Sequence, residues 1–198
     1  MKLILASSSP RRKRLMNRLN CSFDIIFPDV DESKMKFESS PEKYCISLAE
    51  LKADNVSQDY PNALVIGADT IVVLDDHIMN KPHGHDEAEE MLHALSGKIH
   101  EVHTGVCIKS INDNIQHSFS EVTQVNFQKL TNQEIRYYVK IYLPFDKAGA
   151  YGIQDWSSIF VEQINGCYDN VVGFPLSRFY LELKKLDINL LDTISESY

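Results

Sequence analysis

The residues best equipped for chemistry stand near the start of the chain, where serines are followed by a proline and two arginines. Ser7 and Ser9 supply hydroxyl groups, and Arg11 and Arg12 supply forked guanidinium groups. Proline favours the first position of a helix, so Ser9 is expected to cap a helix that begins at Pro10. Because helix N-termini attract anions and guanidinium groups bind phosphate, the segment indicates a phosphate-binding turn. An ordinary strand, loop and helix with a solvated basic turn fits these residues equally well.

A second candidate is Asp69, which lies within an apolar stretch. Apolar runs at residues 63–66 and 71–74 flank it, so the stretch is either one long strand or two strands with a kink at Gly67. Aspartate is depleted from strands, and a buried carboxylate without a partner is costly. Asp69 therefore needs a metal, a cationic partner or a wet cleft. The alternative is a turn aspartate that caps its own loop.

Three more charged residues complete the set: Glu32 in an acidic loop, Lys52 near the end of a predicted helix, and Lys81. Spacing alone predicts that Lys52 is an ordinary solvated charge. The apolar stripe of its helix is expected at Tyr44, Leu48 and Leu51. Carboxylates beside phosphate-binding cations suit hydrolysis of a phosphoanhydride with Mg²⁺, which one or two carboxylates hold together with substrate phosphates and water.

Local patterns predict the elements that must position these side chains. A capping box formed by Thr131 and Glu134 opens a helix that runs to about Tyr142. Other helices are expected over residues 10–19, 41–56 and 86–95 and from about residue 175. Strands are expected at residues 3–6, 22–27, 99–108, 115–127, 159–163 and 168–172, besides the one or two strands within residues 63–74.

Composition excludes several classes of function. The 198 residues carry a net charge of -8, which argues against non-specific binding to nucleic acid or to an anionic membrane. Five of the 20 Lys and Arg residues lie between Arg11 and Arg18, a local patch that suits a small polyanion. The four cysteines are far apart and indicate reduced thiols in a cytoplasmic protein. The polar tail from about Thr193 is expected to be frayed.

Eight segments stand in the order and at the spacing of Maf-like proteins, which are nucleoside triphosphate pyrophosphatases once called septum formation proteins. The chain resembles this family from Leu3 to about Leu183. The segments are Leu5-Ala6-Ser7-x-Ser9-Pro10-Arg11-Arg12, Val30-Asp31-Glu32, Ala49-x-x-Lys52-Ala53, Gly67-Ala68-Asp69-Thr70, Lys81-Pro82, Leu95-Ser96-Gly97, Asp146-Lys147-Ala148-Gly149-Ala150-Tyr151-Gly152-Ile153-Gln154 and Val172-Gly173-x-Pro175-Leu176.

The resemblance implies an α/β fold related to the inosine triphosphatases, also called Ham1-type. It implies an elongated mixed central sheet with flanking helices and two lobes around a cleft, formed by a single domain over residues 1–198. It also implies a homodimer and a divalent cation, Mg²⁺ or Mn²⁺, as cofactor. No nucleic acid or membrane partner is expected.

The chain is most similar to the branch of the family that acts on dTTP and UTP. The resemblance implies hydrolysis of these nucleotides, and of modified uridine triphosphates, to the monophosphate and pyrophosphate, which keeps non-standard nucleotides out of nucleic acid. Asp69 would accept the proton of the attacking water and would hold the metal with Glu32. The phosphate-binding residues would be Ser7, Ser9, Arg11, Arg12, Lys52 and Lys81. Arg11, Thr70 and Gln154 would select the base.

One segment departs from the family pattern. Relatives carry a glycine-rich pair after the Ile-Gln, whereas this chain has Asp155, Trp156 and Ser157. The indole of Trp156 is expected to narrow or cap the base pocket, so the order of preference among pyrimidine nucleotides stays open.

Two other functions use the same residues. One is a nucleotide-binding regulator of division or septum formation with little turnover, and the other is a broad pyrophosphatase for non-standard purine triphosphates. Intact Asp69 and Glu32 favour the enzyme over the regulator. Each function requires the arginine-bearing helix start and Asp69 to face a shared site.

Overall fold

The computed structural model describes residues 2–35, 37 and 40–190, and in these residues one mixed sheet of seven strands is flanked by helices. The strands are β1 (Lys2–Ala6), β2 (Asp24–Ile26), β3 (Ala63–Leu74), β4 (His77–Met79), β5 (Ile99–Ser110), β6 (Ile115–Phe127) and β7 (Val161–Asn165). The α-helices are α1 (Pro10–Asn17), α2 (Pro41–Asp59), α3 (His85–Leu95), α4 (Asn132–Tyr142), α5 (Tyr168–Val172) and α6 (Leu176–Lys185). The tail from Thr193 lies outside the described residues.

The sheet has the strand order β2-β1-β3-β5-β6-β7, with β4 paired to β3. β1 runs parallel to both β2 and β3, and its last residue, Ala6, pairs with Gly67 of β3. β4 and β7 are antiparallel to their neighbours. The sheet is therefore mixed, and the prediction of an α/β fold with a mixed central sheet is confirmed.

The starts of α1, α2 and α4 follow from side-chain caps. Ser9 caps α1 by accepting from the Arg12 N–H, and Ser40 caps α2 by accepting from the Lys43 N–H. Both helices have proline at their first position, where its fixed φ and missing N–H cost nothing. The predicted capping box of α4 is present, because Thr131 and Glu134 each satisfy the other's backbone N–H.

Two of the predicted strands, residues 159–163 and 168–172, differ from the structure. Residues 159 and 160 end a 3-10 helix, and the strand begins only at Val161. Tyr168–Val172, expected as a strand, forms the short helix α5. Its apolar residues are too few to separate a period of two from a period of 3.6, and Asn170 of α5 anchors it by donating to the Val102 carbonyl at 2.9 Å.

The chain divides into two compact units, with the division inside β3, β5 and β6. The first unit comprises residues up to Asp69, Thr104–Glu121 and the chain from Gly173 onward. Its core packs α2 onto β1 and β3 through small apolar residues. The second unit comprises Thr70–His103 and Val122–Val172, and its core is built from side chains of α3, α4 and the sheet that include the large Phe127 and Tyr138.

In the described ranges, no helix is both long enough and apolar enough to cross a membrane.

Candidate active site

The turn after β1 is built as a hydrogen-bonding loop. Ser7 follows the last residue of β1 and is 4% exposed, and its hydroxyl accepts from the Ser9 N–H at 3.1 Å. The Ser9 hydroxyl in turn accepts from the Arg12 N–H at 3.4 Å. The chain therefore passes from strand to helix with its hydroxyl groups and the first amides of α1 gathered at one point, which is the arrangement that binds phosphate.

Arg12 folds back over this turn. Its Nε donates to the Gly173 carbonyl at 2.9 Å, and its Nη1 lies 3.5 Å from the Ser7 hydroxyl. Desolvation lowers the pKa of Arg12, whereas the negative charge of Asp69 raises it. Arg12 is therefore held in place by backbone and hydroxyl groups, within electrostatic range of the Asp69 carboxylate. Arg11, one residue earlier, is half-buried.

Asp69 reaches this turn because of strand register. Ala6 pairs with Gly67 in the parallel β1 and β3, so Ser7 leaves β1 beside the stretch of β3 that carries Asp69. β3 continues through Asp69 without interruption to Leu74, so Asp69 is a strand residue and not the turn aspartate of the alternative interpretation. The arginine-bearing helix start and Asp69 belong to the same compact unit.

Lys52 is the cationic partner that Asp69 requires. Its Nζ lies 2.5 Å from Asp69 Oδ1 and 3.1 Å from Glu32 Oε1. Lys52 and Asp69 are 6% and 9% exposed. The prediction of a solvated Lys52 from helix spacing is therefore wrong, because its ammonium group is buried between two carboxylates.

Lys52 was predicted to be solvated because the wrong face of α2 was expected to be buried. Leu48 of the predicted stripe is buried, but Tyr44 and Leu51 are only half-buried. The buried side chains of α2 are Cys45, Leu48, Ala49, Lys52, Ala53, Val56 and Ser57, so the buried face is turned by about one position toward Lys52. A β-carbon on Gly67 would lie 2.1 Å from the Ala49 carbonyl oxygen, and one on Gly105 would lie 2.3 Å from the Cys45 carbonyl. Glycine at these two strand positions lets α2 lie directly on the sheet, and this close packing places Lys52 against Asp69.

Tyr44 is a residue near this site that motif spacing missed. Burial raises the pKa of Tyr44, and the charges of Asp69 and Glu32 raise it further. Tyr44 stands eight residues before Lys52, two turns along α2, and its ring makes an edge contact with Phe37 at 5.8 Å between centroids. The i, i+4, i+8 spacing from Tyr44 through Leu48 to Lys52 was the available signal.

The carboxylates of Asp69 and Glu32 fit a divalent cation. Both form ion pairs with one ammonium group, that of Lys52, so their oxygens already converge on a shared cationic position. Within the described residues, no group of three or more His, Cys, Asp or Glu side chains could hold a metal. Two carboxylates are nevertheless the usual protein contribution to Mg²⁺ sites that substrate phosphates complete.

The remaining predicted site residues belong to the second unit. Thr70 is half-buried and follows Asp69 on β3. Lys81 is exposed and lies shortly after β4. Gln154 is exposed in the turn that follows Tyr151. Motif comparison supplied all three residues, of which Thr70 lies in a strand and Lys81 and Gln154 lie in loops or turns.

Sequence reasoning missed the groups that hold the Gln154 segment. Tyr151 is buried, and its hydroxyl lies 2.8 Å from His100 Nε2. Burial lowers the pKa of His100 to about 4, so this imidazole is neutral near pH 7. The His100 ring also makes an edge contact with Phe127, with centroids 4.9 Å apart. The available indication in the sequence was His100 at an inward-facing position of β5, a strand predicted from the alternation of apolar and polar residues.

The family model for Maf-like protein matches residues 2–186. The chain belongs to the Maf family. A dTTP/UTP pyrophosphatase of Bacillus cereus is 47% identical over 189 residues, which cover 96% of this chain and 97% of the relative. A dTTP/UTP pyrophosphatase of Carboxydothermus hydrogenoformans is 43% identical, covering 93% of this chain and 98% of the relative.

The Maf chain also has the predicted Ham1-type fold. A HAM1 protein from Coxiella burnetii superposes with a TM-score of 0.51, covering 93% of this chain and 99% of that chain. The two are 14% identical, so the likeness concerns the fold alone.

Trp156, one of the three residues by which this Maf chain departs from the family pattern, packs against α4. The Trp156 ring contacts three tyrosines of α4: Tyr137, Tyr138 and Tyr142, with centroids 5.0, 6.3 and 6.4 Å away. Trp156 is half-buried in these contacts, which join the Gln154 segment to α4.

Proposed function

We propose that the chain hydrolyses dTTP and UTP, and modified uridine triphosphates, to the nucleoside monophosphate and pyrophosphate. The observation that carries the proposal is the buried Asp69 on β3, held by Lys52 beside the serine and arginine turn. Relatives with 47% and 43% identity that are named dTTP/UTP pyrophosphatases support the choice of substrate.

In the proposed reaction, Asp69 is the general base. A water oxygen attacks the α-phosphorus and gives its proton to the Asp69 carboxylate, while the bond from the α-phosphorus to the bridging oxygen breaks. The electrons of that bond leave with pyrophosphate. Because Lys52 donates to Oδ1, the carboxylate is oriented, and we assign Oδ2 to the attacking water.

The proposed phosphate ligands neutralise charge that grows on the departing pyrophosphate. Arg12 is already held by Gly173 and Ser7, so little of its side-chain freedom remains to be lost when it binds an oxyanion. We assign the same role to Ser7, Ser9, Arg11, Lys52 and Lys81.

Base selection is assigned to Arg11, Thr70 and Gln154. The primary amide of Gln154 offers one acceptor and two donors. Uracil and thymine present the O4 acceptor beside the N3–H donor, which such an amide can match, whereas cytosine presents the opposite pattern.

A divalent cation, Mg²⁺ or Mn²⁺, is part of the proposal. Glu32 and Asp69 would hold it, and it would supply Lewis-acid charge to the substrate phosphates. Lys52, which lies between these carboxylates, would then donate to one of them or to a phosphate oxygen.

We further propose a cytoplasmic homodimer. All four cysteines are free thiols. Burial raises the pKa of Cys45 to about 12 and that of Cys107 to about 11, so both stay protonated at neutral pH. Size-exclusion chromatography with light scattering tests the dimer.

A nucleotide panel tests the proposed reaction. Release of pyrophosphate from dTTP, UTP, 5-methyl-UTP, CTP, dITP and 7-methyl-GTP is measured with Mg²⁺ and with Mn²⁺. We expect the highest kcat/KM for dTTP and UTP. Preference for dITP would support the purine pyrophosphatase instead, and tight dTTP binding without pyrophosphate release would support the regulator.

A further inference from the structure

The turn that presents Gln154 is closed by the buried hydroxyl of Ser157. Ser157 is 0% exposed, and its Oγ accepts from the Gly152 N–H at 3.2 Å. The same oxygen lies 2.8 Å from the Gly152 carbonyl and 2.8 Å from Asp155 Oδ1, so its single proton serves these two acceptors. One side chain therefore fastens the start of the turn to its end.

Asp155 completes this closure. Its Oδ1 accepts from the Ser157 N–H at 3.0 Å, and its Oδ2 accepts from the Tyr138 hydroxyl at 3.2 Å. The Asp155 N–H donates to the Gly152 carbonyl at 3.0 Å. Tyr138 is fully buried in α4, so the turn is tied to the core of the second unit as well as to itself.

Gln154 stands at the exposed tip of this turn, between Gly152 and Asp155. An amide distinguishes O4 with N3–H from the reversed pattern of cytosine only if its donor and acceptor are held in place. A flexible turn would let the amide rotate or shift to suit either base. A rigid turn fixes the direction of the Gln154 side chain before the nucleotide arrives.

We propose that Ser157, acting with Asp155, is a positioning residue that sets base discrimination by fixing the turn that carries Gln154. The inference rests on the proposed function, specifically on the role of Gln154 in selecting the base. It assigns a purpose to the polar residues that replace the family's glycine-rich pair.

The first experiment compares Ser157→Ala with Ser158→Ala, its exposed neighbour, in the full chain. The ratio of kcat/KM for UTP to that for CTP is measured, together with the inhibition constant of pyrophosphate. We expect Ser157→Ala to lower the ratio about 10- to 100-fold, mainly through KM for UTP, because small misplacements of a recognition group cost this much. Ser158→Ala should keep the ratio, and pyrophosphate inhibition should change less than about twofold in both variants.

A second pair keeps the inference testable if Ser157→Ala does not fold. Asp155→Asn retains an acceptor for Ser157, and its amide can donate to the Tyr138 hydroxyl, whereas Asp155→Ala retains neither contact. We expect Asp155→Asn to keep the UTP preference within about threefold and Asp155→Ala to lose it as Ser157→Ala does. Equal loss in Asp155→Asn and Asp155→Ala would overturn the inference.

Gln154→Ala separates failure of the inference from failure of the proposed function. If Gln154→Ala keeps the UTP preference, Gln154 does not select the base, and both the proposed role of Gln154 and the inference are overturned. If Gln154→Ala abolishes the preference while Ser157→Ala and Asp155→Ala keep it, only the inference is overturned. We expect the double variant Gln154→Ala, Ser157→Ala to discriminate no worse than Gln154→Ala alone, because both changes act through one contact.

Discussion

Two buried carboxylates in the first unit have different surroundings. Glu182 of α6 is 2% exposed and accepts from Arg178 at 2.6 Å, from Lys185 at 2.9 Å and from His117 at 2.9 Å. Asp69 of β3 is 9% exposed and accepts from Lys52, whose ammonium also serves Glu32. Glu182 thus has three donors to itself, whereas Asp69 shares its donor.

We propose that this difference separates a structural carboxylate, Glu182, from a reactive one, Asp69. Burial raises the pKa of Glu182, but the hydrogen bonds from Lys185, His117 and Arg178 outweigh burial and lower its pKa to about 2. The carboxylate of Glu182 accepts from donors on its own helix and from His117, and the His117 contact joins α6 to β6. Asp69 instead lies beside a turn of serines and an arginine, groups that suit an incoming anion. Burial of a carboxylate therefore does not by itself indicate a catalytic residue, and our proposal for Asp69 rests on the partners around it.

The largest expected effect comes from neutralising each carboxylate in turn. Asp69→Asn should lower kcat for dTTP about 10²- to 10⁴-fold, because a general base is lost. Glu182→Gln should leave kcat per folded molecule within about threefold and should lower the free energy of unfolding instead. Pyrophosphate release and urea unfolding are measured on both variants and the parent protein.

The contrast between the two carboxylates is contradicted if Asp69→Asn and Glu182→Gln change activity and stability to the same extent. An Asp69→Asn protein that releases pyrophosphate at the parental rate would remove the general-base assignment. A Glu182→Gln protein with parental stability would show that its three donors contribute no net free energy.

A pH series tests the same carboxylate by a second route. Because the pKa of Glu182 is lowered to about 2 in the folded protein, its ionised form stabilises the fold above about pH 4.5. That contribution is lost as the pH falls through 4.5 toward 2. We expect the stability difference between parent and Glu182→Gln, about 3 kcal/mol at pH 6, to shrink steadily over this range. A difference that stays constant between pH 6 and pH 2.5 would contradict the assignment.

The close packing of α2 on the sheet places Lys52 against Asp69, and Gly67→Ala tests this effect of packing. The added methyl group would lie 2.1 Å from the Ala49 carbonyl, so helix and strand must separate. We expect a loss of about 1–3 kcal/mol in stability, and a fall in kcat because Lys52 moves away from Asp69. Gly84→Ala is the control, since its methyl group would meet no described atom within 4 Å, and it should cost less than about 1 kcal/mol.

The helix caps and the two buried carboxylates show which features could be predicted from the sequence. The Ser9 cap and the capping box of α4 were predictable because each depends on neighbours within four residues. The local pattern left open whether one strand or two carry Asp69. The burial of Lys52 was not predictable from spacing, since it depends on glycines 15 and 53 positions further along the chain that admit α2 to the sheet. The contact of His117 with Glu182 was also not predictable, because His117 comes from β6, 65 residues earlier in the chain.

The smallest expected effect is that of Lys185→Ala. Lys185 and Lys52 each pair with a buried carboxylate, but the Lys185 side chain is 62% exposed and that of Lys52 is 7% exposed. Water can solvate the Lys185 ammonium, and Arg178 and His117 remain on Glu182 when it is removed. We expect thermal and urea unfolding to show a loss below about 1 kcal/mol and unchanged kcat. A loss as large as that of Glu182→Gln would mean that this exposed lysine, and not the set of three donors, holds the carboxylate.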